Sequence, residues 1–114
     1  MRKFALAVAL LAGVPALAQA PAPVVIGRVL QIGAVPGSDS IAVRIRLERA
    51  LRGSSPEVFD LVLPSRIAAP GLGERIGVAI IASANGALRL WDESSLVRSP
   101  TPAQLRILLV HARN

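Results

Sequence analysis

The chain has 114 residues, with 13 basic residues against 7 acidic ones, one histidine and no cysteine. That length provides for one small domain. Without cysteine, a disulfide scaffold, a thiolate metal site, a cysteine nucleophile and a lipid-modified N-terminal cysteine are all excluded, so packing alone must hold the fold.

Met1-Arg2-Lys3 sets two positive charges before an uncharged run from Phe4 to Ala20 that ends in small residues, the pattern of a secretory signal. Ala16-Leu17-Ala18 meets the small-x-small rule, and a cut there avoids the Pro21 that would follow a cut after Ala20. Residues 1–18 are therefore expected to be a signal peptide, with 20 as the alternative cleavage point, and the mature protein to be periplasmic or secreted by a bacterium. An uncleaved anchor is the weaker reading, because Gly13 and Pro15 interrupt a run already short of the ~20 apolar residues of a span. Losing Arg2 and Lys3 lowers the formal charge from +6 to +4, and because Lys3 is the one lysine, every mature basic side chain apart from His111 is an arginine.

Residues 19–23, ending in Pro21-Ala22-Pro23, read as an extended lead-in to a single domain at 24–114. Val24 to Ile32 is rich in β-branched and aliphatic residues and predicts a first strand, with Gly27 marking a bulge or a close backbone approach. Pro36-Gly37-Ser38-Asp39 supplies turn chemistry. Ile41, Val43, Ile45 and Leu47 then alternate with Ala42, Arg44, Arg46 and Glu48, so a second strand has one aliphatic and one charged face. As a helix, the same segment would bury at least one arginine, at a cost of several kcal/mol when unpaired.

Arg52 to Pro56 forms the next turn. Phe59, Leu61 and Leu63 line one side of a third strand from Glu57 to Leu63, which Pro64 closes. Ser65 to Glu74 is a loop with at most one helical turn near Arg66–Ala69, and the nearly all-apolar run Arg75 to Ser83 is a strand covered on both faces. Asn85-Gly86 turns the chain into Ala87 to Asp92 as a hairpin. Ser94 to Ser99 adds a short edge strand.

Thr101, Pro102 and Gln104 then make a capping box that predicts a helix from Pro102 to Ala112. Leu105, Leu108, Leu109 and Ala112 share one face of it, with Ile107 and Val110 opposite; this β-branched pair leaves a strand as the alternative. The expected fold is mainly β: a small OB-like antiparallel barrel of five to six strands with one C-terminal helix.

The segments Val25-Ile26-Gly27-Arg28-Val29, Val43 to Gly53 and Leu72-Gly73-Glu74-Arg75 resemble small secreted bacterial proteins with an OB-like barrel, similar in fold to netrin and metalloproteinase-inhibitor modules. The likeness covers about residues 24 to 92, and its motifs are structural. The inhibitor modules set an N-terminal cysteine on the target's catalytic zinc, and this chain has no cysteine to do so. The resemblance therefore implies a scaffold and not that mechanism.

No catalytic, cofactor-binding or metal-ligating residue is assigned. His111 has no second histidine to complete a metal site and is read as a cap on the carbonyls of its helix. The serines lack a Gly-x-Ser-x-Gly elbow and are read as turn formers. Gly71-Leu72-Gly73 lacks the third glycine of a dinucleotide loop and precedes a strand, not a helix. Arg44 and Arg46, with Arg28 nearby, predict a basic strip on the outer barrel face, but two mature aromatics are too few for a nucleic-acid platform, so no nucleic-acid partner is expected. Trp91 is balanced between exposed contact residue and barrel plug. Ile107 and Val110 offer a second contact surface, and with Arg106 and Arg113 beside them the helix is a candidate for peripheral membrane contact. The expected function is an exported, non-catalytic barrel that binds a protein or cell-envelope component; the alternative is a small periplasmic enzyme or enzyme inhibitor.

Overall fold

Six strands and one helix make up residues 21–83 and 86–113, which a computed structural model describes. The expected signal peptide at 1–18 and Asn85 of the hairpin turn lie outside the described residues. In chain order the elements are β1 (Val24–Ala34), β2 (Ile41–Arg52), β3 (Val58–Leu63), β4 (Arg75–Ala82), β5 (Leu88–Leu90), β6 (Leu96–Arg98) and α1 (Pro102–His111).

The order β1-β2-β3-β5-β4 closes into a barrel because β1 also pairs with β4, and β6 joins β4 as an additional strand. All pairings are antiparallel except β3 with β5, which run parallel through Leu61↔Leu88 and Val62↔Arg89. This one parallel pair differs from the all-antiparallel expectation. It follows from closure: β5 returns from the β4 hairpin in the direction of β3, and only a parallel pairing joins the two ends of the sheet.

The alternating patterns set the faces. In β2, Val43 and Ile45 are buried while Arg44 and Arg46 are exposed, and in β3 Phe59, Leu61 and Leu63 point inward. These side chains pack with Val25, Val29, Ile76, Val78, Ile80 and Leu90 to fill the barrel. Gly27 is the close approach expected of it: a Cβ there would lie 2.3 Å from Ile45 Cγ2 and 2.9 Å from the Arg46 carbonyl oxygen. The β1–β2 register slips on either side of this region, so the strand coils around the barrel. Gly86, next to the undescribed Asn85, has φ +81°, and Ala82↔Leu88 continues the antiparallel hairpin.

β4 is covered on both faces, as its apolar run predicts. Its outer face meets α1, where Leu108 and Ala112 pack with Ala22, Val24 and Ala79, and Leu105 sits over Gly77. Ala22, in the lead-in, is therefore already part of the packed structure. The helix begins as its sequence dictates: Thr101 Oγ1 accepts from the Gln104 N–H, Gln104 Oε1 accepts from the Thr101 N–H, and Pro102 occupies the first helical position. Among the described residues no helix is long and apolar enough to cross a membrane.

Candidate functional site

Trp91 follows β5 directly and stands on the outer face of the barrel, on the same side of the strand as Arg89. It is half-buried. Its indole packs onto the small cluster beneath α1 and meets the His111 ring edge-on, with centroids 5.3 Å apart and planes at 81°. The neither-exposed-nor-plugged position has a simple cause: the helix covers one side of the ring and leaves the other open. On that open side lies a groove of about 550 Å³, walled by Val35, Val62, Pro64, Ile67, Leu90 and Trp91. Arg66, Arg89, Asp92 and Glu93 give it polar groups. Arg66 is paired with Glu93, whose carboxyl that hydrogen bond holds below the usual range. Among the described residues Arg89 has no carboxylate partner.

Next to the groove, sequence reasoning missed a cluster. Asp92 opens a tight turn in which its Oδ1 accepts from the Ser94 N–H at 3.0 Å, from Ser94 Oγ at 3.0 Å and from Ser95 Oγ at 2.7 Å. Its Oδ2 lies 2.6 Å from His111 Nε2, and Ser94 Oγ is 2.9 Å from the same nitrogen. Desolvation would raise the Asp92 carboxyl, but hydrogen bonds from Ser95, His111 and Ser94 outweigh it and hold the group below its ordinary value. His111 thus binds a side chain of the β5–β6 turn and does not cap its helix; the Ala112 N–H reaches the Leu108 carbonyl in the ordinary way.

A serine, a histidine and an aspartate in contact invite a catalytic reading, and the geometry argues against it. In a triad the imidazole takes the serine proton with one nitrogen and donates to the carboxylate with the other. Here one nitrogen faces both groups. At 2.6 Å from a carboxylate oxygen it must carry a proton, and Ser94 already donates to Asp92, so nothing activates the hydroxyl. The cluster latches the end of α1 to the barrel. Asp92 with serines two and three residues further on is an Asx-turn signal that could have located half of it; nothing local marks His111 as the partner.

Arg52 makes the second latch, also unseen in the sequence. Its guanidinium donates to the carbonyls of Ala22, Leu109 and Ala112 at 2.7–3.0 Å, across 30, 57 and 60 residues of chain. It satisfies carbonyls that a helix C-terminus leaves without partners. Burial, then the nearby Arg113 charge, lowers its pKa, yet a guanidinium stays charged.

The other candidates fall elsewhere. Arg44 is held by Asp60, at 2.9 and 3.3 Å, beside a cleft of about 510 Å³ where the first half of β3 parts from β5. Arg46 is exposed and registered opposite Arg28. Glu48 bonds both Arg28 and Arg75, at 2.9 and 3.2 Å, and the Arg28 hydrogen bond keeps its carboxyl below the usual range. The basic strip is thus interleaved with carboxylates. Ile107 and Val110 are 69% and 67% exposed on the far face of α1, away from the groove. Among the described residues no three His, Cys, Asp or Glu side chains are grouped to hold a metal ion. Comparison of the chain with models of known families, with characterised proteins and with solved structures found no match in any of the three.

Proposed function

We propose that the protein is an exported, non-catalytic binding barrel whose ligand lies in the groove beside Trp91. One observation carries this reading: the one tryptophan of the chain stands half-covered at the wall of an open groove, where a barrel plug would be sealed inside. A half-buried indole offers a large, rigid apolar surface at small entropic cost. Arg89, uncommitted to any carboxylate among the described residues, adds a preference for an acidic group beside the apolar one. The ligand is accordingly a segment of an envelope protein, or an envelope component, that presents both. The likeness to netrin and inhibitor modules supports the scaffold and adds no chemistry to the groove.

The test compares wild type, Trp91→Ala and Arg89→Gln as baits in an envelope extract, with the tryptophan fluorescence of the wild type followed as captured material is returned. A ligand held by the wild type, lost with Trp91→Ala, weakened with Arg89→Gln and able to shift the indole emission supports the proposal. Equal recovery by all three baits contradicts it. The alternative, a small periplasmic enzyme or inhibitor, places its chemistry at Ser94 and His111; hydrolysis of an activated ester that Ser94→Ala abolishes would favour it.

A further inference from the structure

β1 has a strand on each side over only part of its length. From Val24 to Arg28 it lies between β2 and β4. Val29 is then tied to the loop before β4: its N–H donates to the Glu74 carbonyl at 2.9 Å, and its carbonyl accepts from the Gly73 N–H at 2.8 Å. Beyond Val29 the strand continues beside β2 to Ala34, and among the described residues nothing pairs with its other edge.

The register fixes which backbone groups face that open edge. Val29 directs its N–H and C=O away from β2, so Val29↔Ile45 is a non-hydrogen-bonded pair. The slip before Gln31↔Arg44 and the alternation of an antiparallel ladder then turn Gln31 and Gly33 toward β2 and Ile32 and Ala34 outward. The hairpin end agrees independently: the Val35 N–H donates to the Ser40 carbonyl at 3.2 Å, so the next pair, Ala34↔Ile41, again faces outward.

Proteins guard such edges with charge, proline or a cover. β6, at the other end of the sheet, is three residues long and carries Arg98. Leu30-Gln31-Ile32-Gly33-Ala34 has neither charge nor proline, and Leu30 and Ile32 are 43% and 36% exposed. We propose that this edge pairs with the same edge of a second copy of the chain, antiparallel about a two-fold axis near Gly33.

A second copy fits for two reasons. The pairing is self-complementary: Ile32 and Ala34 of one chain meet Ala34 and Ile32 of the other, donor to acceptor, with no like charges opposed. The ends are also complementary. Arg28 is registered between Arg46 and Arg75, three basic residues on neighbouring strands with the single carboxylate of Glu48 bonded to Arg28 and Arg75. Asp39, at the hairpin tip, has no basic partner among the described residues. Antiparallel pairing about Gly33 carries each tip toward the other chain's arginines. An isologous contact of this kind closes at two copies.

Sedimentation velocity from micromolar to millimolar protein tests the proposal. Ile32→Pro removes an outward donor that the β2 ladder does not use, a site where an edge strand tolerates proline. Ile32→Lys sets two like charges near the axis and keeps the proposal falsifiable if the proline variant misfolds. The expected result is a concentration-dependent dimer for the wild type and monomers for the folded variants, with unchanged circular dichroism. A wild type that stays monomeric throughout, or an Ile32→Lys dimer as tight as the wild type, overturns it; so does an edge that binds an unrelated extended peptide but never its own copy.

Discussion

The two faces of β4 border regions held together by different means. Inward, Ile76, Val78 and Ile80 join a barrel core filled by valine, isoleucine, leucine and Phe59, each large side chain contributing about 1.5–3 kcal/mol by burial. Outward, Gly77 and Ala79 meet α1 through a seam of Ala22, Val24, Leu108 and Ala112. Three of its five buried members are alanines, the larger Leu51, Ile81, Trp91, Val97 and Leu109 are only partly buried against them, and polar latches complete the seam: Arg52 on three carbonyls and Asp92 on His111. A barrel needs only a repeating pattern, whereas a docked helix needs particular partners.

Substitutions inside the barrel should have the largest effect. Leu61→Ala leaves a cavity and is expected to cost about 2–5 kcal/mol in urea unfolding. Gly27→Ala sets its methyl group against Ile45 and the Arg46 backbone, which has nowhere to move, and should cost at least as much as ordinary overpacking, about 1–3 kcal/mol. Gly77→Ala is the informative counterpart. Its Cβ would meet Leu105 Cδ2 at 2.8 Å, the far end of a side chain, so the helix shifts and the barrel remains. A Gly77→Ala loss equal to that of Gly27→Ala would erase the distinction between the two regions.

Arg52→Ala strands the Ala22 and Leu109 carbonyls, while Ala112 keeps the Ala22 N–H, and should cost about 2 kcal/mol, with Arg52→Lys restoring only part because one ammonium cannot span the same carbonyls. Helix amide exchange checks this: faster exchange should be confined to α1. Thr101→Ala removes the N-cap for about 1 kcal/mol, read by the same exchange. The smallest change is expected from Arg44→Ala, since an exposed ion pair is worth about 0.2–1 kcal/mol and weakens with salt.

Acid should weaken the Asp92 latch on the seam. Asp92 binds its proton less tightly in the folded chain than unfolded, so its contribution is present above the ordinary carboxylate value, about pH 4, and is lost as pH falls through the depressed folded value. Glu48 and Glu93 act with the same sign. In a pH series of urea melts, the stability gap between wild type and Asp92→Asn should shrink toward zero in acid; a constant gap would show that the charge of Asp92 plays no part.

The same division explains what could be read from the residues alone. The strands of the barrel were legible because Ile41 to Glu48 and Phe59 to Leu63 repeat every second residue, and α1 because Thr101 and Gln104 lie at capping-box spacing. The parallel β3–β5 contact was not, since two strands distant in sequence share no local period. Trp91 could not be placed either, because its partner His111 lies on an element whose docking depends on Arg52, far back in the chain. The groove therefore came into view only with the seam: its tryptophan wall is held in place by the helix end.

Native-state hydrogen exchange tests this two-region organisation most directly. The amides of β2 and β4 should exchange only through global unfolding, while those of α1 open at a lower free energy that Arg52→Ala lowers further and a ligand in the Trp91 groove raises. A single opening energy shared by barrel and helix, moved equally by both perturbations, would contradict it.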